Sequence, residues 1–137
     1  MAILGISLKN IKADIDTEIT PTGDINVSST PTIEGVSKKD IDLFAMKDVL
    51  SVEFKFKTSY EPKLGEIVME GEVLYQTDKA KDIVTRWKKE KKMDENLATE
   101  ILNAIFRKCL TQAITLAHEL RLPPPIIFPI VRPRSEE

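Results

Sequence analysis

Through the first half of the chain apolar residues recur at every second position; beyond residue 78 they recur every three or four. A period of two marks a half-buried strand, and a period near 3.6 an amphipathic helix. The segment from Ile3 to Leu8, continued by Ile11, Ala13 and Ile15, alternates with one break near Asn10, which predicts a bulge. Pro21-Thr22-Gly23 predicts a turn. Ile25, Val27, Ser29 and Ile33 continue as a second strand, and Pro31, which lacks an amide donor, suits an edge or a bulge. Leu50, Val52, Phe54 and Phe56 alternate with Ser51, Glu53, Lys55 and Lys57, the cleanest half-buried pattern in the chain. After a turn over residues 61–65, Ile67, Met69, Gly71, Val73 and Tyr75 form a fourth strand. Short connections between such strands predict an antiparallel meander with one face packed and the other open to solvent.

Asp78 is placed to cap a first helix, Lys79 to Lys92, with Ala80, Ile83, Val84 and Trp87 on its apolar side. Asp94 is placed to cap a second, Glu95 to Arg121, roughly 40 Å long at 1.5 Å per residue. This helix bears two adjoining stripes: Leu102, Phe106, Cys109, Ala113, Leu116, Leu120, and Leu97, Ile101, Ile105, Leu110, Ile114, Ala117. Together they are wider than one sheet contact requires, which predicts a homo-oligomer with the helix against a second copy. Pro123, Pro124 and Pro125 then stop the helix, because proline brings no N–H and disfavours helix before it. The strip that follows (Ile126, Ile127, Phe128, Ile130, Val131) has to lie on another surface, its own sheet or a partner's. The expected organisation is one α+β domain over residues 1–122, then a proline-rich extended strip and short tail over 123–137.

Composition narrows the function. A chain of 137 residues, 42% apolar, builds one core without disulfides, and the lone Cys109 has no partner for one. One His and one Cys give no zinc-ligand spacing. No signal-like segment or apolar run of membrane-spanning length is present, so the expectation is a soluble cytoplasmic protein without membrane insertion. The Lys/Glu-rich balance, with few Gln, is the kind seen in heat-adapted, thermophile proteins. The net charge of −2 hides a division: −6 over residues 1–78, +5 over 79–92 and −1 over 93–137. Lys79, Lys81, Arg86, Lys88, Lys89, Lys91 and Lys92 thus form a basic cap suited to an acidic partner or to RNA phosphates, with Trp87 able to stack on a base or anchor an interface. A solvated face with Trp87 covering the sheet explains the same pattern.

Catalytic candidates are thin. His118 has no nucleophile at a suitable spacing, and Cys109 falls on an apolar stripe. Asp14, Asp16 and Glu18, like Glu66, Glu70 and Glu72, share strand faces at a spacing that any polar strand shows. No glycine-rich phosphate loop occurs. Binding, not catalysis, is the expectation, with no metal and no cofactor.

The order of elements and the ending resemble SecB, the bacterial protein-export chaperone family. The resemblance rests on four antiparallel strands, a short helix, a long helix and its exit through Leu122-Pro123-Pro124-Pro125-Ile126-Ile127. It implies a sheet backed by helices, assembly through sheet edges and long helices, and grooves for extended unfolded polypeptide clients, with no reaction. On this reading Phe54, Phe56, Tyr75, Ile127 and Phe128 bury client side chains, and free strand edges add main-chain hydrogen bonds. SecB proteins are markedly acidic, whereas this chain is nearly balanced. That difference supports an alternative, an accessory subunit of a large ribonucleoprotein such as the ribosome, docked on rRNA through the Lys79–Lys92 helix.

Overall fold

Each alternating segment is a strand, and each runs past its apolar repeat. A computed structural model describes residues 2–15, 25–41, 46–61, 64–126 and 133. The elements are β1 (Ala2–Ile15), β2 (Asn26–Ile41), β3 (Met46–Glu61), β4 (Gly65–Gln76), α1 (Ala80–Glu90) and α2 (Glu95–Glu119). The strands form one antiparallel sheet in the order β1-β4-β3-β2, with both helices C-terminal to it.

β2, β3 and β4 make a meander, while β1 lies at the far edge against β4. Alternation decides which face a strand buries but leaves its neighbour open. The composition of β4 accounts for the choice: Val68 and Leu74 punctuate its second face, so it is apolar enough for an interior place. The break expected near Asn10 is a register shift between Leu8 and Asn10, and a second lies between Ile3 and Gly5. Pro31 sits on edge strand β2 opposite Phe56.

One face carries the core. Leu50 opposes Tyr75, Val52 opposes Val73, Phe54 opposes Gly71 and Phe56 opposes Met69. Gly71 makes room in this layer, because a Cβ there would strike the Ser7 carbonyl and come within 2.9 Å of Phe54 Cζ. α1 lies over β2 and β3, and α2 mainly over β4 and β1. The buried line of α2 is Leu97, Ile101, Ile105, Cys109, Ala113 and Ala117, every fourth residue, and so draws on both sequence stripes. At 3.6 residues per turn such a line winds about 40° at each step, and the helix contact turns along the twisted sheet. Burial of each large side chain contributes about 1.5–3 kcal/mol.

The helix ends follow local chemistry. The N-cap of α1 is Lys79, one residue later than the expected Asp78, and its side chain makes no capping bond. The Lys79 N–H donates instead to Thr77 Oγ1 at 3.1 Å. α1 stops at Glu90, with Lys91 in the left-handed region at φ 55°, so Lys79, Lys91 and Lys92 flank the helix. Asp94 caps α2 as expected, its Oδ2 accepting from the Leu97 N–H at 3.3 Å. α2 ends at Glu119, and Arg121 takes φ 59° while its N–H donates to the His118 carbonyl and that of Leu122 to Ala117. This pair of bonds satisfies two of the helix's last carbonyls. Tyr60 Oη then donates to the Pro123 carbonyl at 2.7 Å, which ties the start of the proline strip to the sheet.

Candidate polypeptide-binding surface

The face of the sheet opposite the helices is charged, with Glu72 and Glu66 among its paired groups. Glu72, at its centre and only 8% exposed, accepts from the Ser51 hydroxyl and lies 3.6 Å from Lys39 Nζ and 3.9 Å from Lys9 Nζ. Burial works against its charge, but the Ser51 bond and the two ammonium groups outweigh that and hold its pKa below the usual value. Lys57 pairs with Glu66 at 3.3 Å on the same sheet. Such a charged face offers little to an apolar ligand.

The helix side behaves differently. Phe54, Phe56 and Tyr75 are 1%, 0% and 6% exposed, so the first two are core and not the contact residues expected from the sequence. The physical reason is direct: α1 and α2 of the same chain cover the face that alternation marks as buried. Phe56 meets Phe106 of α2 edge-on, ring centroids 5.5 Å apart. Ile127 and Phe128 lie outside the described residues.

Tyr75 borders a hollow. Together with Thr77, Ile83, Leu97 and Glu100 it lines an opening of about 420 Å³ where the two helices meet the end of β4. Its hydroxyl donates to Glu100 Oε2 at 3.2 Å, and burial, then that carboxylate, raises its pKa. A second, mainly apolar hollow of about 370 Å³ is lined by Ile114, Thr115, His118, Leu122 and Pro124. The bonds Tyr75–Glu100 and Tyr60–Pro123 put these hollows at opposite ends of α2. Half-buried Leu102, Phe106, Leu110 and Ile114, four residues apart, run between them along the helix flank.

The uncovered apolar surface gathers on β1. Leu4, Ile11 and Ile15 are 38%, 41% and 39% exposed, and with Ile126 at 38% they are the large hydrophobics most open among the described residues. β1 is an edge of the described sheet, so one row of its backbone groups has no ladder partner among the described residues. The other edge is poorer, since β2 presents exposed Ser28, Thr30 and Thr32 and is interrupted by Pro31. Sequence alternation contained Ile11 and Ile15, but nothing in it separated an edge strand from an interior one. The hollow-lining Ile83, Leu97 and Ile114 were visible only as members of helical stripes.

The expected basic cap is real as a surface. Lys79, Lys81, Arg86, Lys88, Lys89, Lys91 and Lys92 are all exposed. Trp87 is half-buried against the core, with Lys91 Nζ 5.7 Å from its ring centroid. Burial, only partly offset by Lys108, pushes the Cys109 thiol up to about 11, which keeps it protonated. Asp14 pairs with Lys12 at 3.7 Å, while Asp16 and Glu18 lie outside the described residues.

No family model matches the chain, and no curated protein matches it. Among solved structures it is similar to the SecB-like chaperone Rv1957 of Mycobacterium tuberculosis, solved in complex with a ChAD peptide from the antitoxin HigA1. The TM-score is 0.61 at 15% identity, over 95% of this chain and 88% of that one. The fold is SecB-like. That fold accounts for a four-stranded antiparallel sheet with both helices C-terminal to it. Among the described residues of this SecB-like chain no helix is long and apolar enough to cross a membrane.

Proposed function

We propose that this protein is a non-catalytic chaperone module that holds extended apolar segments of unfolded polypeptides, segments awaiting export among them. One observation carries the reading: exposed large hydrophobics collect on β1, an edge with free main-chain groups. A client strand laid against β1 gains backbone hydrogen bonds, with alternate side chains meeting Ile11 and Ile15 on one face and Leu4 met from the other. The hollows beside Tyr75 and beside Ile114 take side chains from segments that continue around the helix. Apolar contact at about 25 cal/mol per Å² supports this without sequence specificity. Ordering the client keeps affinity well below the area sum. The peptide held by the similar chaperone supports the class of ligand. In this reading Tyr75 borders the surface, Phe54 and Phe56 belong to the core beneath the helices, and Ile127 and Phe128, outside the described residues, remain expected client contacts.

Docking on a ribonucleoprotein through α1 is the second reading; partial burial of Trp87 against the core favours it less, since it reduces the ring face open to a base.

The test is suppression of aggregation of an unfolded client by the Ile11→Lys, Ile15→Lys double variant, alongside its sedimentation. Both positions are already more than a third exposed, so the fold is expected to persist. Loss of suppression at unchanged molecular size supports the reading. Full suppression by a variant that has dissociated into smaller species overturns it and makes β1 a self-association edge.

A further inference from the structure

We propose that the outer face of α1 docks an acidic polypeptide segment, at a site separate from the client surface and independent of it. Lys81, Thr85 and Lys88 follow one another at helical spacing on the side away from Ala80, Ile83, Val84 and Trp87, and exposed Lys92 lies just past the C-cap Lys91. Lys81, Lys88, Lys89 and Lys92 are exposed and have no ion-pair partner among the described residues. This sets them apart from the sheet cations Lys9, Lys39 and Lys57, each of which has a carboxylate. The stripe is therefore positive charge that the described residues do not neutralise.

Three features decide what fits. The stripe is short, about 16 Å for an eleven-residue helix, and the other segments are net acidic. A nucleic acid longer than a few nucleotides would run off the helix into that acidic surround. The neighbouring flank carries Asp82 and Glu90, the latter taken by Arg86 at 3.4 Å, so the cations are interrupted rather than continuous. Interrupted cations match carboxylates, which a peptide can space freely, better than evenly repeating phosphates. Lys81 and Lys88 stand about 10 Å apart along the axis, a gap that long lysine side chains bridge to two same-face carboxylates two or four residues apart, about 7 or 13 Å on an extended segment. Because the lysines are well hydrated, each pair contributes little and the complex is weak and salt-sensitive.

The experiment uses the full chain and two fluorescent probes, a twelve-residue glutamate-rich peptide and a twelve-nucleotide oligo(U), with anisotropy read at low and at raised salt. The comparison protein is Lys81→Glu, Lys88→Glu, Lys92→Glu, its fold checked by circular dichroism. A neutral Lys81→Gln, Lys88→Gln, Lys92→Gln variant serves if the reversal disturbs folding. The expected result is peptide binding by the native chain that falls about tenfold or more in either variant and falls again with salt, while client capture is unchanged. Absence of peptide binding, equal binding by the variants, or tighter binding of the oligonucleotide than of the peptide overturns the proposal.

Discussion

Gly71 shows what a single position can decide. It stands where the apolar alternation of β4 calls for a side chain, yet the neighbouring Ser7 carbonyl and the Phe54 ring already fill that space. Gly71→Ala is therefore expected to lower stability by about 1–3 kcal/mol through overpacking, read as an earlier urea midpoint at unchanged slope. Glu72 is the complementary case on the other face, a nearly buried carboxylate kept charged by Ser51, Lys39 and Lys9. Its folded pKa lies below the unfolded value near 4.5, so its contribution is present above that pH and is lost as pH falls through the folded value. Glu72→Gln is expected to be less stable than the native chain at pH 7, with the gap narrowing in acid. Denaturant titrations at several pH values between 3 and 7 check this; a gap independent of pH would remove the charge from the account.

Among the elements, α2 makes the case for chemistry at helix ends. Arg121 holds φ 59°, a conformation that disfavours residues with a Cβ, so that the Leu122 and Arg121 amides can close the helix. Arg121→Gly is expected to stabilise the protein by about 0.5–1 kcal/mol, seen as a higher melting temperature. Tyr60→Phe removes only the hydroxyl that donates to Pro123, and is expected to cost about 1 kcal/mol and to loosen the start of the proline strip. Limited proteolysis after residue 122 would show the second effect. The four strands, the break at Asn10, the Asp94 cap and the proline stop were legible because each follows from local spacing or from one residue's covalent geometry. The place of β1 was not, since two strands of equal period fit several neighbours. The cap of α1 was missed for a related reason: Asp78 has the right side chain, but the helix starts one residue beyond it.

For the molecule as a whole, the difficulty lies in telling a core from a binding face. Phe54 and Phe56 announce burial in their alternation, and the sequence is silent on whether a client or the chain's own helices supply the cover. Apolar surface left over after folding marks the site better, and it depends on where the edges fall. That surface includes Leu4, Ile11 and Ile15, whose exposure appears only once β1 is known to be terminal in the sheet. A chain lacking residues 2–15 would uncover the edge of β4 and the flank of α2, and is expected to be largely insoluble, as measured by sedimentation after expression.

Pairing of β1 with β4 also sets a timetable for synthesis. Among the described strands β1 bonds only to β4, so residues 2–15 wait for that ladder until translation has passed Gln76. The β2–β3–β4 meander can form by successive hairpins during that interval, whereas the β1 ladder closes across most of the sheet's sequence, a slow kind of contact. During that wait the nascent chain displays an unpaired apolar strand of its own, the kind of segment that the finished protein is proposed to hold for others.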